Sequence, residues 1–120
     1  MQTPVQKVSS AGAIDYTPDT DAVVGGDVIV VGDIVGVAPV DIAVDKKGAI
    51  QIEGVYRFPK ITGAIGVGVK VYWAAGGNPV GGDAGSGAAT TTASGNKLAG
   101  YAVAAAASGD ATVDVVLARA

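Results

Sequence analysis

Residues 25–38 read GGDVIVVGDIVGVA, and this stretch decides the fold class. Gly25-Gly26-Asp27 is a turn, Val28 to Val31 a run of β-branched residues too short for a helix, and Gly32-Asp33 a two-residue turn of the hairpin type. Ile34 to Ala38 then runs back as a second strand. The segment predicts a tight β-hairpin.

Working outward, the same grammar continues. Ile42 to Val44 reads as a short strand that runs into the charged turn Asp45-Lys46-Lys47-Gly48. Ala49 to Tyr56 follows with alternation of period two, so that Ile50 and Ile52 face a core while Gln51 and Glu53 face water. Ile61 to Val69 holds too many glycines for a helix. Lys70 to Ala74 predicts a strand that carries the single Trp, and Lys97 to Ala106 and Ala111 to Leu117 predict two more, with Val113, Val115 and Leu117 inward. Residues 75–96 are rich in Gly, Ala, Ser and Thr. They read as a flexible loop, the first candidate for disorder, around a weak strand near Ala89 to Thr92. Residues 1–21 read as an extended arm with one edge strand near Gly12 to Thr17, and residues 22–120 as a single β domain. The expected fold is all-β, a small barrel or sandwich.

An internal echo adds to this. Val28 to Val31 followed by Ile34-Val35-Gly36-Val37-Ala38 is answered by Val71-Tyr72-Trp73-Ala74 followed by Leu98-Ala99-Gly100-Tyr101-Ala102, and a strand ends each half. Two similar β units packed together are the reading that this supports.

Composition closes most routes to chemistry. The 120 residues contain neither Cys nor His, which removes thiol nucleophiles, thiolate metal sites and imidazole bases. Eight basic against eleven acidic residues give no electrostatic footprint for nucleic acid. No stretch supplies the ~18 uninterrupted apolar residues of a spanning helix, since Asp33, Pro39 and Asp41 cut the longest one. The N-terminus has no targeting pattern, so synthesis in the cytoplasm is expected. Gly63 to Lys70 superficially resembles a phosphate cradle, but Val69 displaces Lys70 from the required spacing and Val71 stands where the hydroxyl belongs. Asp19, Asp21, Asp27 and Asp33 sit among turn residues, where their side chains serve backbone N–H groups. No catalytic residue, cofactor or metal is expected.

The scarce aromatics, Tyr56 and Phe58 around Arg57 and the pair Tyr72 and Trp73, read as core or subunit-interface anchors. In the arm, Val5, Val8, Ile14 and Tyr16 are the apolar residues able to meet a neighbour. Val5, Val8, Ile14, Tyr16, Tyr56, Phe58 and Trp73 are therefore the candidate contact residues.

The order and spacing of GGDVIVVGDIVGVA (25–38), EGVYRFPK (53–60), GVKVYW (68–73) and TTTASGNKLAGYAVAAAASGDATVDVVL (90–117) are similar to those of the small DUF2190-type capsid-decorating, or cement, proteins of bacteriophages. The resemblance covers most of the chain from about Val23 onward. It implies a β-barrel or sandwich, a homo-oligomer (a trimer), contact with the major capsid protein, and residence on the virion surface. The alternative is a phage tail or head-fibre component, or a glycan-binding surface module.

Overall fold

A computed structural model describes residue 3 and residues 12–117. Val5 and Val8 lie outside the described residues. The elements are β1 (Ala13–Tyr16), β2 (Val28–Val31), β3 (Ile34–Val37), β4 (Gly48–Gln51), β5 (Val55–Pro59), β6 (Lys70–Ala74), β7 (Ala88–Thr90), β8 (Lys97–Ala102) and β9 (Thr112–Leu117). They build two antiparallel sheets, ordered β1-β4-β3-β2 and β5-β9-β8-β6-β7. The chain is all-β and sandwich-like, and the sheets do not close into a barrel.

The predicted hairpin is β2–β3, with Val28 opposite Val37 and Val31 opposite Ile34 across Gly32-Asp33. Gly32 takes a positive φ of 59°, which the two-residue turn requires and a side chain would resist. The alternating segment 49–56 is not one strand. Ile50 is fully buried as expected, but the chain leaves the first sheet after Gln51 and enters the second at Val55. Gly54, at φ 111°, makes the bend, and its carbonyl already accepts the Leu117 N–H of the second sheet at 2.9 Å. Ile52 is consequently only half-buried at the crossing. Ile42 is a single bridge to Val23 rather than part of a strand.

The 75–96 segment is tied down rather than loose. The Val80 N–H donates to the Lys60 carbonyl at 2.9 Å, Gly87 N–H to Gly77 O at 3.0 Å, and Gly85 N–H to the Asn78 side chain at 2.7 Å. Its end, Ala88 to Thr90, is the buried edge strand β7 on β6. Alanine and threonine are small enough to let this strand bury completely, and it overlaps the weak strand expected near Ala89 to Thr92.

The internal echo is a duplication of structure. The order β1-β4-β3-β2 is repeated as β5-β9-β8-β6, with β7 and its loop inserted where the first half has Gly32-Asp33. Registers agree: Ile14 opposes Ile50 as Tyr56 opposes Val115, and Ile29 opposes Gly36 as Val71 opposes Gly100. The bridge Val23–Ile42 returns as Ile65–Ala106. Loop hydrogen bonds return too, Gly26 N–H to Ala38 O as Gly68 N–H to Ala102 O, both 2.7 Å, and Lys46 N–H to Ala43 O (3.1 Å) as Asp110 N–H to Ala107 O (3.0 Å).

Each half also carries the same core. In the first, Ile14, Tyr16, Val23, Ile29, Val31, Ala38, Ile42 and Ile50 pack together. Their counterparts Tyr56, Phe58, Ile65, Val71, Trp73, Ala102, Ala106 and Val115 all belong to the larger cluster of the second half. Val28, Val35 and Val37 extend that larger cluster from the opposite face of the first sheet and join the halves. The junction pairs like with like. Strand β3 meets its own counterpart β8, Val35 and its counterpart Ala99 share one cluster, and Asp33 accepts a 2.6 Å hydrogen bond from its counterpart Lys97. Contacts between equivalent positions are what a two-fold relation between the halves produces.

Candidate functional site: a contact surface

The structure brings most of the predicted contact residues together as core. Ile14, Tyr16, Tyr56, Phe58 and Trp73 occupy matched core positions of the two halves. Phe58 is 1% exposed and packs edge-on against Trp73, ring centroids 5.9 Å apart at 64°. It is an interior anchor of the subunit. Ile14, Tyr16, Tyr56 and Trp73 remain half-buried, so each keeps a rim of surface. Strand β1, expected to be an edge strand, gives one side to β4 of its own chain and is the outer strand of its sheet.

Of the acidic residues expected to serve turn backbone, Asp27 does so, whereas Asp33 pairs with Lys97. Asp27 accepts the Val24 N–H at 3.0 Å, Asp41 accepts Gly25 N–H at 2.7 Å, and Asp110 accepts Ala107 N–H at 2.8 Å. Two others are depressed below the ordinary carboxylate range, Asp33 chiefly by the hydrogen bond from Lys97 and Asp114 chiefly by that from Arg57. Among the described residues no group of three or more potential ligands is placed to hold a metal ion. An open cleft of about 670 Å³ lies between the 26–28 turn and the 79–87 loop, with Trp73, Pro79, Ser86 and Thr112 on its walls. It gathers no set of acid, base and nucleophile.

Two features escaped sequence reading. Lys60 is fully buried, and its ammonium donates to three carbonyls of one turn, Ala107 at 3.1 Å, Ser108 at 3.2 Å and Asp110 at 3.3 Å. In the first half the counterpart is the fully buried Pro18, whose carbonyl accepts the Asp45 N–H. The second feature is a set of exposed valines, of which Val24, Val40, Val44, Val67, Val69 and Val103 lie in loops and Val30 and Val55 in strands. Only Val67 among them carries a sequence signal, standing between the turn residues Gly66 and Gly68.

The phage cement protein family matches residues 8–117 of the chain. The chain belongs to that family. The match spans both halves and the insertion within the second, so the whole duplicated fold is the family unit. It is a family of structural phage proteins associated with the virion capsid, not of enzymes. No curated protein and no solved structure matches the chain.

Proposed function

We propose that this protein decorates the outer surface of a phage capsid and stabilises it, binding the major capsid protein after synthesis in the host cytoplasm, with no catalytic activity of its own. The family match over residues 8–117 carries this reading. The physical arrangement supports it, because hydrophobic side chains and polar turns are spent on two matched cores and on exposed apolar turn positions, as a scaffold requires.

A cement must act from many copies. Weak contacts repeated over a closed shell add to strong total binding, and a homo-oligomer, most simply a trimer, multiplies the contacts per seated unit. The N-terminal arm, with Val5 and Val8, and the outer side of β1 beside Ile14 and Tyr16 are the proposed route to a neighbour, since an exposed strand edge offers main-chain hydrogen bonds without a large apolar patch.

Incubating the purified protein with undecorated capsids of its phage and counting copies in the pellet tests the proposal. Saturation at a lattice-matched number of copies per particle is expected. Absence of pelleting, or a handful of copies per particle, would point instead to a tail, head-fibre or glycan-binding role.

A further inference from the structure

The duplication extends to the surface. In each half, the loop before the central hairpin crosses the loop after it, 23–27 against 38–42 and 65–69 against 102–106, and matched backbone hydrogen bonds hold both crossings. Each crossing ends in a turn with a positive-φ glycine, Gly26 and Gly68. At each tip valines are among the exposed residues, Val24 (60%) and Val40 (63%) beside Asp27 and Asp41 on one, and Val67 (67%), Val69 (38%) and Val103 (44%) beside Ala104 and Ala105 on the other. The valines fall one position apart in the two halves rather than at identical ones, yet each tip presents an apolar pair, one member from each crossed loop.

We infer that the two tips are a pair of equivalent docking points that engage two copies of one partner subunit, so that each molecule bridges neighbouring subunits of the capsid lattice; this rests on the capsid-decorating reading. The like-with-like contacts Asp33–Lys97 and β3–β8 give the halves a two-fold relation, and a two-fold pair of surfaces fits a pair of identical partners. Size argues the same way. Two or three valines bury on the order of a few hundred Å², well below the roughly 800 Å² per partner of a stable interface, so one tip alone holds weakly. Two tips on one rigid body raise the effective local concentration of the second contact, and avidity of about 10²- to 10⁴-fold follows. Bridging is also what a cement needs, because a contact confined to one subunit cannot hold two together.

The test is capsid pelleting with three full-length variants, V24D/V40D, V67D/V103D and the four-fold combination, each first shown to keep the wild-type Tm. The same sites as threonine replace any variant that unfolds. Loss of either tip is expected to weaken apparent affinity by about 10²-fold or more, and loss of both to abolish pelleting. Wild-type-like binding by the four-fold variant would overturn the inference while leaving the decorating role intact. So would complete dependence on one tip and indifference to the other. Failure of the wild-type protein itself to pellet would overturn the decorating role, and the bridging with it.

Discussion

Lys60 shows how one residue can hold a fold without an ionic partner. Its ammonium, fully buried, is offset by three carbonyl dipoles of the 107–110 turn, while its own carbonyl accepts Val80 N–H and anchors the inserted loop. Lys60→Met keeps the length and removes the donors, leaving the carbonyls without that partner. Hydrogen bonds to charged groups contribute roughly 1.5–3 kcal/mol each, so denaturant titration is expected to show destabilisation of about 3 kcal/mol. An unchanged midpoint would mean that water replaces the ammonium without loss. Gly87 is a second such position, at φ 108°, where an added Cβ would lie 2.5 Å from the Trp73 ring. Gly87→Ala is expected to cost more than about 1 kcal/mol and to shift the emission of the single Trp. At the surface, Asp33 and Asp114 ionise more readily folded than unfolded. Their contribution is therefore present above the ordinary carboxylate range and is lost as pH falls through the folded values. Wild-type protein should lose more of its urea midpoint between pH 6 and pH 3 than D33N/D114N; equal losses would show that the pairs carry no linkage.

Among the elements, the strands were legible where β-branched runs meet turn glycines, as in 28–37 and 112–117. Alternation could not reveal that 49–56 serves two sheets, since period two says which face a residue takes and not which sheet it joins. Likewise the 75–96 segment read as a flexible loop around a weak strand because its small polar residues carry little pattern, and its ties come from distant partners, Lys60 among them. Strand β1 lies outermost in its sheet, the edge proposed to meet a neighbour together with the arm. Deleting residues 1–11 should leave Tm nearly unchanged and reduce capsid binding; full binding by the truncated protein would take the arm out of the contact surface.

For the whole molecule, the echo of apolar-X-Gly-apolar-Ala in the two halves was readable, but its extent was not. The eight matched core positions pair Ile14 with Tyr56, Tyr16 with Phe58 and Val31 with Trp73. Such pairs conserve hydrophobicity and position while changing shape, so identity-based comparison misses them. Five of the six aromatics sit in the second half, where rings fill core positions that the first half, Tyr16 apart, fills with aliphatic chains. Exposed valines on turns gave no periodic signal, and the family resemblance, not the pattern, pointed to the capsid. Because Val28, Val35 and Val37 join the two cores, Ile50→Ala in the first half, expected to cost about 3 kcal/mol, should lower a single cooperative transition rather than release one half. The most direct test of the cement role compares the disassembly temperature of capsids with and without saturating protein. A rise on decoration is predicted, and an unchanged temperature on capsids shown to be fully decorated would contradict it.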